Sequence, residues 1–267
     1  MAEDPIAEFK ARQREVWALG NFGDMAVFTT PVAGHLVRYS GVRAGQTVLD
    51  VGCGTGVVAI TAARLGARVA GLDLTPSLLE QARTNAQLAG VAVEWKEGDA
   101  ESLPFPDAAF DAVLSQFGHM FAPRPDVTTQ ELLRVLKPGG RVAFATWPPE
   151  QLIGRSFVLN SRYVTPPAGV TPPIQWGDVG LVQQRLGSAA KAVEFERGTM
   201  GVPALSPEHY MGFQQAKTGP FIRTLQALQK DPAKLEAYTK EYLELVASYM
   251  VDNVVRHEYL LTRAIKA

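Results

Sequence analysis

A chain that runs Val48-Leu49-Asp50-Val51 straight into Gly52-Cys53-Gly54-Thr55-Gly56 has few folds open to it. The apolar and β-branched residues before the glycines read as a buried parallel strand, and Val57 to Leu65 reads as the helix after it. Glycines at 52, 54 and 56 let the backbone turn sharply and approach a ligand where a Cβ would clash. The helix beyond offers unpaired N–H groups. Such a turn serves several nucleotides. Its G-x-G-x-G spacing misses the strict G-x-G-x-x-G fingerprint, because Val57 stands where the last glycine belongs, yet Gly54 to Ala59 satisfies the relaxed form ending in Ala.

Charge separates the readings. A dinucleotide places a pyrophosphate at this turn, which a carboxylate at Asp50 would repel. S-adenosylmethionine carries an ammonium and a sulfonium and no phosphate, so an acidic strand end favours it. Asp73 ends a second candidate strand, Arg68 to Asp73, about twenty residues past the turn, where a carboxylate can accept from both ribose hydroxyls. Asp99 follows a third, Val91 to Trp95, within reach of an adenine amino group. Each acid taken singly is also an ordinary turn former, with Thr75 and Pro76 opening the helix after Asp73.

The stretches VLDVGCGTG (48–56), GLDLTP (71–76), EGDAESLPFPDAAFD (97–111) and ELLRVLKPGGRVAFATW (131–147) together resemble the class I S-adenosylmethionine-dependent methyltransferases. Within them the likeness is to the small-molecule branch that includes the ubiquinone and menaquinone biosynthesis enzymes. The expected fold is α/β: a doubly wound, seven-stranded, mostly parallel sheet with N-terminal helices and a helical insertion before the last strand. The expected cofactor contacts are Asp50, Gly52, Gly54, Gly56, Asp73, Leu74, Asp99, Ala100 and Gln116.

Strands alternate with helical patterns from 47 to 147: Thr47–Val51, Arg68–Asp73, Val91–Trp95, Phe110–Ser115 and Arg141–Trp147. Alternation of this kind builds right-handed βαβ units with ligands at the carboxyl ends of the strands. Ahead of them, Ile6 to Leu19 and Pro31 to Tyr39 read as helices. The family likeness makes 1–44 a lid over the cofactor and acceptor. Residues 148–176 hold six of the chain's 18 prolines and read as a loop-rich insertion. Val179–Leu186 is a short helix and Ala192–Arg197 a sixth strand. The core is thus 45–202 with 255–267, and 203–254 is a helical cap, the expected acceptor region, before a final antiparallel strand, His257 to Ile265.

The acceptor is the less constrained half. Lys plus Arg number 26 against 27 Asp plus Glu, which gives no field drawing the chain to nucleic acid. Ser115-Gln116-Phe117-Gly118 also lacks the polar-Pro-Pro-aromatic grip of nucleobase amino methyltransferases. No run of apolar residues is long enough for membrane insertion. The single cysteine, Cys53, fills the glycine turn, and with an acidic N-terminus it points to a cytoplasmic protein. A homodimer is left open, and no metal is called for. Trp17, Phe22, Phe117, Phe121, Trp147 and Trp176 favour a small apolar or aromatic acceptor, and several would equally serve as core.

His119, just past the fourth strand, is the expected base, with a packing role as its alternative; His35, His209 and His257 rank below it. Two other functions stay open: a non-catalytic S-adenosylmethionine-binding regulator and an NAD-dependent oxidoreductase.

Overall fold

The computed structural model describes residues 5–166 and 168–267. The first four residues and Pro167, which belong to the expected lid and loop-rich segments, lie outside the described residues. Helices α1 (Pro5–Leu19) and α2 (Phe22–Ser40) precede β1 (Thr47–Val51), α3 (Val57–Arg64), β2 (Arg68–Asp73), α4 (Pro76–Leu88), β3 (Glu94–Glu97) and β4 (Phe110–Gln116). Then come α5 (Pro125–Arg134), β5 (Leu136–Thr146), α6 (Leu152–Tyr163), α7 (Val179–Leu186) and β6 (Ala190–Pro203). The remainder is α8 (Pro207–Lys217), α9 (Gly219–Leu228), α10 (Pro232–Ala247), β7 (Met250–Val251) and β8 (Val254–Lys266).

The sheet order is β3-β2-β1-β4-β5-β8-β6, with β8 antiparallel to both neighbours. This is the expected seven-stranded, doubly wound arrangement. The two-residue β7 makes an eighth strand, in a hairpin with β8 around Asp252-Asn253, both at positive φ, the signature of a tight two-residue turn. β1 and β4 are buried along nearly their whole length, as parallel strands covered on both faces must be. All their carboxyl ends face one side.

Several boundaries move, each for a local reason. α2 runs unbroken from Phe22 through Pro31 instead of starting there. Asn21 accepts from Asp24 N to open it, and one proline removes only one intrahelical donor. β3 begins at Glu94, because Val91 N still closes α4 on Ala86 O. β5 starts at Leu136, paired to Phe110 ahead of a bulge. β6 extends to Pro203 because β8 pairs with it that far. The proline-rich 148–176 is not all loop, since α6 forms between its proline pairs.

Candidate functional site

The carboxyl ends of β1, β2 and β4 open into a cavity of about 320 Å³ whose far wall is made by α1, α2, α6 and the helices α8 to α10. At the strand end, Gly52, Gly54, Asp73, Leu74, Asp99, Ala100 and Gln116 line it, as expected. Gly52 (φ +66°) must be glycine, because a Cβ there would lie 2.7 Å from Gly118 Cα. Gly54 (φ +52°) has nothing within 4 Å of its Cβ position.

Asp73 Oδ2 accepts from Gly54 N at 2.8 Å and Oδ1 from Thr75 N at 2.9 Å. Each oxygen keeps a further lone pair for another donor. Burial raises its carboxyl above the usual range, opposed by those backbone bonds. Asp99 Oδ1 accepts from Glu101 N, and its Oδ2 from Lys10 Nζ at 2.5 Å, a lysine of α1 that also reaches Glu101 at 2.6 Å. Gln116 donates to Thr29 O at 3.1 Å, while its Oε1 is buried with no partner among the described residues.

Two expected cofactor contacts stand behind this wall. Asp50 does not line the cavity; its Oδ2 accepts from Ala59 N at 3.0 Å, capping α3 from below. Burial, more than the backbone bond can offset, pushes its carboxyl up to about 7. Gly56 also turns away, its Cβ position 2.7 Å from the Trp95 ring. Cys53 is a free, buried thiol with its pKa raised by burial, in keeping with a turn filler.

Trp17, Phe22, Phe117, Phe121 and Trp147 all line the cavity. Phe117 stacks on Trp147 with centroids 3.7 Å apart and planes 8° from parallel. Phe117 holds φ +58°, a strained backbone that packing must sustain. Trp17 meets Phe121 edge-on at 4.6 Å, closing α1 onto the strand edge. Trp176 is the exception: it is fully buried beneath the cavity wall, between Phe144, His119 and Arg185.

The expected base stands in an apolar setting. His119 sits at the cavity wall, but both ring nitrogens are buried without a partner, and the ring is wedged between Phe144 and Trp176. Burial, with a smaller effect of Arg185, lowers its pKa to about 3. With neither ring nitrogen hydrogen-bonded and the ring held by aromatic neighbours, this setting favours the packing alternative over the base. His209 accepts from Leu205 N at 3.0 Å outside the cavity, and His35 bridges Tyr259 and Glu196.

Sequence reasoning missed Lys10 of α1, and Tyr210, Gln214, Tyr242 and His257, which all line the cavity. Tyr210 and Gln214 are one helical turn apart, a weak signal available in the sequence; nothing there ties them to His257.

Residues 49–144 match the family described as "Methyltransferase domain". An uncharacterized protein of Mycobacterium tuberculosis, Rv1403c, is 36% identical over 95% of this chain and 93% of its own length. A demethylmenaquinone methyltransferase of Clavibacter sepedonicus is 40% identical, over 46% of this chain and 51% of its own length. Among solved structures, the YcgJ protein of Bacillus subtilis superposes with a TM-score of 0.60 at 23% identity, covering 88% of this chain and 97% of that one.

Proposed function

We propose, for a chain that belongs to the class I S-adenosylmethionine-dependent methyltransferases, that the methyl acceptor is a small apolar or aromatic molecule. It would be held between the strand edge and the helical cover. S-adenosylmethionine is the methyl donor; when bound it supplies an electrophilic methyl on a sulfonium, open to in-line displacement.

The residues present fit that cofactor. Asp73 keeps lone pairs for the ribose hydroxyls, the backbone at Gly52 and Gly54 gives close approach, and the unpartnered Gln116 Oε1 is an acceptor suited to an ammonium. Asp99, its charge balanced by Lys10, is the acid assigned to the adenine side.

One observation carries the acceptor reading: a single continuous cavity joins these acids to the stacked Phe117 and Trp147. Alignment of the nucleophile and exclusion of water are what this reaction asks of the protein. The aromatic wall serves the first. For the second, α1 has no buried residue of its own and is held at its surface by Lys10, Gln13, Arg14 and Trp17, which suits a lid. The helices of 203–254, joined by α6, complete the cover. A base is needed only for a protonated nucleophile, and the buried His119 is not assigned that work. No helix among the described residues is long and apolar enough to cross a membrane. The buried free Cys53 suits the reducing cytoplasm.

Calorimetric titration with S-adenosylhomocysteine and with NAD, followed by methyl release across a panel of phenols, quinols, thiols and amines, tests this. Binding of S-adenosylhomocysteine alone and turnover on aromatic members is the expected result. Turnover confined to charged, non-aromatic acceptors would overturn the acceptor assignment, and no turnover on any class would favour a regulator.

A further inference from the structure

One chain of hydrogen bonds crosses the otherwise aromatic wall opposite the strand edge. Thr218 Oγ1 donates to Gln214 Oε1 at 2.5 Å, Gln214 Nε2 donates to the Tyr210 hydroxyl at 2.8 Å, and that hydroxyl meets His257 Nε2 at 2.8 Å. Tyr210, Gln214 and His257 are all buried. They come from α8 and from the start of β8, two segments that meet only in the folded chain.

The protons can be followed along this chain. Gln214 turns its oxygen to Thr218 and its amide to Tyr210, so the Tyr210 oxygen already accepts; its own proton has two neighbours to choose between, His257 Nε2 at 2.8 Å and the Tyr242 hydroxyl, and the basic imidazole nitrogen is the stronger acceptor. A neutral imidazole that accepts at Nε2 carries its hydrogen on Nδ1. Burial holds His257 down to about 4, so the ring is neutral at physiological pH. Its Nδ1 is buried with no partner among the described residues, although buried donors are almost always paired. The ring lies edge-on to Trp147 at 6.1 Å, and Trp147 is the partner of Phe117 in the aromatic stack. The imidazole that carries this unpaired nitrogen thus borders the cavity beside its aromatic platform.

We propose that His257 Nδ1–H selects the acceptor by donating to a carbonyl or phenolic oxygen on an aromatic small molecule, with Tyr210, Gln214 and Thr218 as positioning residues that fix the tautomer. The proposal rests on the cavity being the acceptor site. It narrows the acceptor class from aromatic to oxygenated aromatic. Phe117 and Trp147 would meet the ring of such a molecule, and His257 would set which edge faces the strand ends.

The tautomer is directly measurable, because the chain has only four histidines. Two-bond 15N–1H correlation on histidine-labelled full-length protein, with His257 assigned by its loss in His257→Gln, should show a hydrogen on Nδ1 at neutral pH. A hydrogen on Nε2 overturns the proposal. Tyr210→Phe should move the population toward the Nε2–H form while leaving S-adenosylhomocysteine affinity unchanged; an unmoved population removes the positioning role.

The ligand arm uses 1-naphthol and naphthalene, titrated by tryptophan fluorescence into protein saturated with S-adenosylhomocysteine. The naphthol should bind about tenfold tighter, as one added hydrogen bond to a buried donor allows, and His257→Phe should erase most of that advantage. Equal binding of the two probes, or binding of neither, overturns the proposal. Failure of S-adenosylhomocysteine to bind would instead count against the cofactor reading and leave the tautomer result standing.

Discussion

Asp73→Asn alters one atom of a carboxylate on which the glycine turn depends. Asp73 accepts from Gly54 N and Thr75 N, one on each oxygen, at 2.8 and 2.9 Å. An amide keeps one of these bonds and aims an NH2 at the other donor, and a buried donor left unpaired costs about 1–3 kcal/mol. Melting temperature should drop by several degrees. The cofactor loses more than a bond. Hydrogen bonds to a charged acceptor contribute about 1.5–3 kcal/mol against about 0.5–1.5 for a neutral one, and the amide has a single oxygen to offer two hydroxyls. A loss of about 2–3 kcal/mol, roughly 30- to 150-fold in Kd, is the expected result. Isothermal titration with S-adenosylhomocysteine, with circular dichroism melts on the same sample, measures both. A Kd within about twofold of the native value in a variant that still melts cooperatively would refute the ribose assignment.

His119→Leu removes two buried, unpartnered nitrogens at closer volume, so it should stabilise the chain, by at most about 1–3 kcal/mol, and leave turnover intact; a large fall in kcat at constant KM would reinstate a proton-transfer role. Gly118→Ala would bring a Cβ 2.4 Å from Gly52 O, backbone that cannot yield cheaply; a loss of about 1–3 kcal/mol of stability together with cofactor affinity is expected, and native values for both would contradict the described turn. Asp50 titrates at about 7 in the folded chain, above the ordinary carboxylate value of about 3.9 in the unfolded one. The folded state therefore holds the proton more tightly, and this contribution to stability is complete below the unfolded pKa and lost as pH rises through about 7. Melting temperature should decline more steeply between about pH 4 and pH 8 in the native chain than in Asp50→Asn, and parallel curves would refute the buried titration.

The strands and the glycine turn were legible because their signals are local: short, nearly continuous apolar runs of the kind buried on both faces, and glycines where the chain must reverse. Asp73 and Asp99 could be placed for the same reason, as strand ends point where the sheet points. Side-chain direction just past a strand is another matter. Phe117 adopts φ +58° and Gly118 packs on Gly52, and these two features roll His119 into the core and leave Phe117 on the cavity. No pattern in Ser115-Gln116-Phe117-Gly118-His119 encodes that roll. Asp50 and Trp176 misled for a related reason, since both are buried behind the wall they were expected to form. The Tyr210–His257 contact joins residues 47 positions apart, and only tertiary packing creates it.

The place of β8 between β5 and β6 bears on the order in which the ribosome's product can take shape. Among the described residues β6 has β8 as its only neighbour in the sheet, and β5 has β4 on one side and waits for β8 on the other. Until residues 254–266 emerge, a nascent chain carries a 14-residue strand with no mate and an open edge on β5, the kind of surface that recruits other chains. The strand that relieves this also delivers His257. Closing the sheet and completing the cavity are therefore a single event that waits on β8, and a chain interrupted before residue 254 would hold most of the cofactor side without the histidine proposed to meet the acceptor.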